Sequence, residues 1–481
     1  MSIVSGVQTR HRQGDGVAKD DPRRRNHRLG FADQTEEIRV DAVAVSGAVP
    51  AWLRGGLVRV TPAQMDFAKR SVSHWFDGFA MLNRFGFAGD GSVSYASKFL
   101  DTASRRAALE TGGASVAGFA TDPCRSLFQR VQSVFSQDTT DNTNVNLSRL
   151  GDEHIAMTET PIAVSFDPET LATLRIDDGA KRFGQVTTAH PHHDVQRGEL
   201  VNFAVHMGPK SEYRVYARRS AGDGRVVATL PVREPSYMHS FAITPRYALL
   251  IENPLVVNPL KLAVGGKAFI HNYKWKPELE VKIHALDRAT GAHVRTWATD
   301  PFFVFHTINA FEDGDDVVVD LCAHADASII ELLELERLRS GSEHSDLAAR
   351  PLRLTLPLSG GDSSGAFAVH ELAETDLELP RINYRDRNGR PYRYIYGASA
   401  GGADFLKRLV KIDVSDGSFV AWDEPDAWAG EPVFVPRPGG DGEDDGVVLS
   451  VVLDAASFTE IARAEAPHHI PFGFHGQFFS A

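Results

Sequence analysis

One short pattern constrains the fold more than any other: an apolar residue, an aspartate and a brief polar turn that leads into another strand. It occurs as FDPETL from Phe166, LDRATG from Leu286, IDVSDG from Ile412 and, more weakly, LDAASF from Leu453. The aspartates stand at positions 167, 287, 413 and 454, so the first two gaps are 120 and 126 residues. Each gap accommodates two units of about 60 residues, a suitable size for a four-stranded blade with its loops. A chain of 481 residues holds about seven such units. The fold class expected is therefore all-β, a seven-bladed β-propeller; a large β-sandwich with coincidental turns is the alternative. The last gap is only 41 residues, which predicts a final unit short by one strand.

The rest of the chain keeps the same rhythm. Short apolar runs such as Leu57–Val60, His154–Thr158, Leu200–Val205, Val317–Cys322 and Val447–Leu453 alternate with turn clusters such as Glu312-Asp313-Gly314-Asp315, and long helical patterns are scarce. Residues 1–30 are polar, with Arg23, Arg24 and Arg25 in a row, and read as a flexible tail ahead of a single propeller domain over 31–481. A net charge of −12 argues against a nucleic-acid partner, which would favour a basic face. No run of about 18 apolar residues occurs, so no membrane span is expected. The N-terminus has no apolar signal core, and two cysteines, Cys124 and Cys322, cannot build a disulfide framework. A reducing cytoplasm fits both features, and no obligate protein partner is evident.

Candidate chemistry lies in histidines that are far apart in sequence. His190 in TTAHPHHD, His239 in PSYMHSFAITPRY, His306 in FFVFHTINAF and His475 in IPFGFHGQFF each sit in apolar surroundings. Their gaps of 49, 67 and 169 residues exclude a local metal motif on one helix or knuckle. Four strands would have to converge for these side chains to share an ion, and the inner strands of a propeller do converge on its axis. Neutral imidazoles suit zinc, copper, iron or nickel, so the ligand type leaves the metal open. His192 and His193, in a polar turn, are expected to face solvent. Glu159 in AMTETP, Glu378 in LELPRINY and Glu431 in GEPVFV lie beside apolar strands where an unpaired carboxylate would be costly. Such carboxylates are natural acceptors for the second N–H of a metal-binding histidine; a salt bridge or an exposed strand end is the alternative.

Taken together, HWFDGFAMLNRF, TDNTNVN, MTETP, TTAHPHHD, PSYMHSFAITPRY, FHTINAFEDGDDVVVDL, LELPRINY, GEPVFV and FHGQFF resemble the carotenoid cleavage oxygenases over about Val45 to Phe479. The resemblance is to the branch holding the β-carotene cleaving enzymes and the retinal pigment epithelium isomerohydrolase. It implies a seven-bladed propeller under a helical dome, with Fe(2+) held on the axis by His190, His239, His306 and His475. It also implies that Glu159, Glu378 and Glu431 support those ligands and that Thr158 restricts oxygen access. The activity implied is O2-dependent cleavage of a conjugated C=C bond of a carotenoid or apocarotenoid to aldehydes, with the central 15,15' bond, giving retinal, as the expected position. A stilbene-cleaving dioxygenase of the same fold and a non-catalytic carotenoid-binding propeller are the alternatives.

Phe119 and Tyr237 fall where the resemblance places a substrate tunnel. Cys124, Leu127, Phe128, Val131, Val134 and Phe135 would share an arc of about 120° on a helix with ~3.6 residues per turn. That pattern fits a helix docked on a core; by resemblance it is a membrane-facing segment near 119–136 that draws a lipophilic polyene from the bilayer, so a peripheral membrane association is expected. Two departures from the family pattern stand out. RVTPAQMDF from Arg59 lacks the usual Gly-Pro, and LSVVLDAASF lacks one strand before its hairpin, matching the short last gap.

Overall fold

The computed structural model describes residues 27–113, 118–121, 139–259, 267–340, 348–359, 367–402, 405–424, 427–450, 452–454 and 458–481. Each repeated aspartate ends a third strand and turns the chain into a fourth. Asp167 Oδ1 accepts from Glu169 N, Thr170 N and Thr170 Oγ1, and Asp287 Oδ1 accepts from the equivalent Ala289 N, Thr290 N and Thr290 Oγ1. Asp413 Oδ1 binds Ser415 N and Oγ in the same way. A carboxylate that takes over the backbone donors of a tight turn reverses the chain without a helix. Four residues after each aspartate the backbone enters the left-handed region, at Leu171 (φ 57°), Gly291 (76°), Gly417 (75°) and Phe458 (55°). The weak fourth copy of the pattern is thus a true structural repeat.

The outcome is an all-β propeller. Among the described residues there are seven sheets of four or five strands, plus a two-stranded ribbon. One sheet runs Phe303–Asp313, Asp316–His324, Arg350–Pro357, Ala368–Glu371, each antiparallel to the last. Its second strand is buried along almost all its length, because the apolar run VVVDLCA meets a neighbouring sheet on both faces. Apolar clusters join the sheets pairwise. Leu249, Ile283 and Trp297 pack on Val319, Leu321 and Leu354 of the next sheet; Phe311 and Val318 pack on Ile395 and Val410 of the one after. Val433, Val447 and Leu449 of the last sheet pack on Leu57, Phe87 and Val93 of the first, so the ring closes. Two strand exchanges lock that closure: Gly476–Ser480 pairs with Gly55–Gln64, and Val45–Gly47 pairs with Thr459–Ala464.

One expectation changes. The last sheet is not short of a strand: the run after Gly446 splits into Gly446–Leu449 and Val452–Asp454, which pair with each other and with Val433–Pro436 and Thr459–Ala464. Both strands are short and both are paired, since an unpaired edge inside the ring would leave backbone groups without partners. RVTPAQ stays in the strand Gly55–Gln64, with Pro62 at a shift in register where no ladder donor is required. The tail expected over 1–30 lies, up to residue 26, outside the described residues; His27 is buried against Phe31, Phe405 and Phe472. Among the described residues no helix is long and apolar enough to cross a membrane.

Candidate metal centre

All four predicted histidines come from inner strands or the segments leading into them. His306 is on Phe303–Asp313, His239 precedes Ala242–Ile243, His475 precedes Gly476–Ser480, and His190 lies between Val186–Thr187 and His192–Asp194. One nitrogen from each falls within 4.8 Å of the others. His190 Nε2 is 3.0 Å from His239 Nε2, and His306 Nε2 is 3.2 Å from His475 Nε2.

The carboxylates decide which nitrogen carries the proton. Glu159 Oε1 accepts from His239 Nδ1–H at 2.7 Å, Glu378 Oε2 from His306 Nδ1–H at 2.5 Å, and Glu431 Oε1 from His475 Nδ1–H at 2.7 Å. With Nδ1 protonated, each neutral ring presents a bare Nε2 lone pair inward. His306 and His475 therefore point lone pairs at each other across 3.2 Å, an arrangement that repels unless a cation lies between them. The donor set fits a metal ion. Among the described residues His190 has no carboxylate partner.

Burial and charge reinforce this protonation pattern. Burial alone would raise the Glu378 carboxyl, but the charge and hydrogen bonds of His306 and His324 outweigh it and hold it well below the usual range. Glu431 is likewise raised by burial and pulled down, to about 2, by the Arg381 guanidinium and His475. Burial pushes His475 down to about 4 against the pull of Glu431. His190 is driven well below its ordinary value by burial and then by the other three imidazoles.

Two cavities adjoin the histidines or the residues that support them. A cavity of about 180 Å³ is lined by Phe76, Phe79, Phe119, Val145, Thr158, Glu159 and Phe269 among others. A smaller one of about 70 Å³ lies against His239, His306 and His475, walled by Trp75, Phe76, Phe305, Phe405 and Phe474. Phe76 and Val145 line both. A third cavity, of about 240 Å³ and here termed the axial channel, is lined by His190, His306 and His475 together with Ser148, Arg149 and Arg381.

Phe119 and Thr158 line the larger cavity. Tyr237 does not: it is buried behind Phe119, at 5.8 Å between rings, and its hydroxyl donates to Glu159 Oε1 at 2.8 Å. Its polar tip needed a partner once buried, and the carboxylate is that partner. His192 and His193 are not solvent-facing. Tyr384 Oη donates to His192 Nδ1, His192 Nε2–H donates to Phe241 O, and His193 Nε2 meets Ser148 Oγ. Both line the axial channel, and burial pulls both pKa values down to about 4. The expected membrane-facing residues Cys124, Leu127, Phe128, Val131, Val134 and Phe135 lie outside the described residues.

Four contributors escaped the sequence reading. Arg381, three residues beyond Glu378 in LELPRINY, reaches Glu431 Oε1 with Nε at 3.3 Å. Arg59 donates to the carbonyl of Glu431 at 2.7 Å. His324 donates to Glu378 at 2.8 Å. Asp77 in HWFDGF accepts from Phe119 N, Ala120 N and Thr121 Oγ1, fixing the loop that carries Phe119. The quoted motifs contained Arg381 and Asp77, but a charged side chain beside an aromatic run gave no sign of which backbone it would hold.

A family model described as retinal pigment epithelial membrane protein matches residues 31–480. The carotenoid-cleaving dioxygenase, mitochondrial, of Macaca fascicularis is 35% identical over 519 aligned residues, covering 92% of this chain and 92% of the relative. The β,β-carotene 15,15'-dioxygenase of Rattus norvegicus is 33% identical over 516, covering 93% and 90%. A cobalt-substituted structure of the Synechocystis apocarotenoid oxygenase superposes with a TM-score of 0.82 at 25% identity, covering 95% of this chain and 99% of that one. With the propeller and the four-histidine centre, these matches establish that the chain belongs to the retinal pigment epithelial membrane protein family, the carotenoid cleavage oxygenases.

Proposed function

We propose that the chain is a non-haem iron(II) oxygenase that uses O2 to cleave a conjugated C=C bond of a carotenoid or apocarotenoid into aldehydes, at the central bond to give retinal. The observation that carries this reading is the convergence of four imidazole nitrogens within 4.8 Å beside an aromatic-walled cavity. His190, His239, His306 and His475 would hold Fe(2+), which supplies the binding and activation of O2.

The chain's own residues do the rest. Glu159, Glu378 and Glu431 keep the Nδ1 protons in place, so the inward nitrogens stay unprotonated at neutral pH, and their negative charge offsets that of a divalent cation. Phe76, Phe305 and Phe474 offer flat apolar walls that exclude water and can align an extended polyene. Thr158 stands at the cavity wall next to Glu159, in keeping with a role in limiting the approach of oxygen.

The same reading takes each of the seven sheets as a blade, residues 31–481 as one propeller domain and 1–30 as a tail. It places the protein in the cytoplasm, held peripherally at a membrane by the segment near 119–136 so that a lipophilic substrate enters from lipid. The test is anaerobic preparation with ferrous iron, then incubation with β-carotene and with an apocarotenal in detergent under O2. Retinal from either substrate supports the proposal in full; aldehydes of other lengths keep the reaction and move the bond. One bound iron per chain with no polyene cleaved would overturn it.

A further inference from the structure

We propose that the axial channel binds a small oxyanion of the carboxylate class, which accepts the Nδ1–H of His190 and so supplies from solution the anionic partner that the other three histidines have in Glu159, Glu378 and Glu431. The inference rests on the four histidines holding a divalent ion and is independent of which bond is cleaved.

His190 is the odd member of the centre. Its Nε2 points inward, 3.0 Å from His239 Nε2, so in the neutral ring Nδ1 carries the proton. That N–H meets no partner among the described residues, and protein does not seal it off. Of the three cavities at the centre, His190 lines only the axial channel. The space open to its N–H is therefore the channel.

The channel lacks an acceptor to offer it. Asn146, Ser148, Thr307 and Tyr384 in the lining already hydrogen-bond to protein. Glu431, the one carboxylate there, has Oε1 against His475 Nδ1–H and Arg381 Nε, and Oε2 against the Gly476 amide. The groups left over are donors. Beside His190 Nδ1–H they are Arg381 Nη1, the Gln477 NH2 and the Arg149 guanidinium, none with a partner among the described residues. Charge points the same way: Arg149 and Arg381 outnumber Glu431 in the lining, and Arg59 adds a third guanidinium by donating to the Glu431 carbonyl. A divalent ion on the histidines is offset by Glu159 and Glu378 alone, which leaves that excess uncompensated. Arg149 is exposed and its charge helps hold His193 low, so positive charge runs from the surface into the lining. A water molecule would accept a hydrogen bond without offsetting any charge. A carboxylate does both, and its two oxygens can serve several donors at once.

The test is anaerobic titration of the full chain with Co2+, followed by visible absorption, in perchlorate, a poor hydrogen-bond acceptor, and at equal ionic strength in acetate and in bicarbonate. Acetate, bicarbonate or both should tighten Co2+ binding about tenfold, the lower bound for a carboxylate behind a metal-bound histidine. The absorption bands should not shift, because the anion touches His190 and not the ion. Gln477→Leu and Arg149→Gln should each reduce the gain while leaving the affinity in perchlorate within about twofold. No gain in the wild type, a gain that both substitutions leave intact, or a gain accompanied by shifted bands, the mark of an anion on the ion itself, would each overturn the proposal. If one variant does not fold, the wild type and the other variant still decide. Co2+ binding without an anion effect sinks this site alone; failure to bind Co2+ in any of the salts sinks the metal centre of the proposed oxygenase and this site with it.

Discussion

Glu378→Gln and Glu431→Gln remove the same atom's charge from two equivalent-looking positions, yet the structure makes their costs unequal. At Glu378, the glutamine carbonyl can take over the His306 Nδ1–H and the Leu379 amide, leaving its NH2 facing His324 Nε2. His324 can answer by moving its proton to the unpartnered Nδ1, so only the charge is lost. Loss of a carboxylate behind a metal-bound histidine costs about 10- to 100-fold in metal affinity, and Glu378→Gln should fall near the lower bound, about 1.4 kcal/mol. At Glu431 no such relief exists. Oε1 faces His475 Nδ1–H and Arg381, and Oε2 faces the Gly476 amide. An NH2 at either place meets a donor, and the only ring able to switch is His475 itself, which would then lose its inward lone pair. Glu431→Gln should approach 100-fold, and it also strips the half-buried Arg381 of its anion, at a cost to stability of about 2–3 kcal/mol. Anaerobic titration with Co2+, followed by visible absorption, gives both affinities, and a denaturant series gives the stabilities. Equal losses of metal affinity, or a larger loss at Glu378, would refute the tautomer argument.

Asp77→Asn weakens the clamp on Phe119, Ala120 and Thr121; it should raise KM for a polyene several-fold while leaving metal content within about twofold, as steady-state kinetics and metal analysis would show. Phe76→Ala removes a wall that the two cavities share and should broaden the products from one pair of aldehydes to several, read by chromatography; an unchanged product pair would mean that this wall does not align the substrate. Gly417→Ala puts a Cβ on a backbone with φ 75°, 3.2 Å from the Leu372 carbonyl, and should destabilise by about 1–2 kcal/mol in urea unfolding without affecting metal binding.

Much of this was legible because two constraints act locally. The aspartate turn is written in consecutive residues, so Asp167, Asp287 and Asp413 revealed the spacing of alternate sheets before any coordinate was known. The four histidines and three glutamates were legible through motifs, since each sits in an apolar segment where a polar group needs a reason. What could not be read depends on contacts across the ring. Resemblance puts Tyr237 in a tunnel; only the fold shows Glu159 Oε1 at 2.8 Å from its hydroxyl. His192 and His193 look like a polar turn, and only the fold shows them half-buried and hydrogen-bonded to Phe241, Tyr384 and Ser148.

The short run before the last hairpin makes the same point about closure. Read locally, LSVVLDAASF is a strand too few, and a weak sheet next to His475 would follow. In the ring, strand number is set by what the neighbours leave unpaired. Val433–Pro436 must be paired on one side, and Val45–Gly47 brings its own edge to Thr459–Ala464 on the other. The residues between have to supply two antiparallel strands, and they do so by turning early, after Leu449. The cost appears in local geometry instead: the turn that Gly291 and Gly417 make with glycine is made here by Phe458, in the left-handed region and buried. His475 is insulated from that strain. Its position depends on Glu431, Arg381 and the pairing of Gly476–Ser480 with Gly55–Gln64, none of which passes through the shortened hairpin. Closure of the propeller therefore holds the four-histidine centre independently of a short hairpin that the sequence alone places almost on top of it.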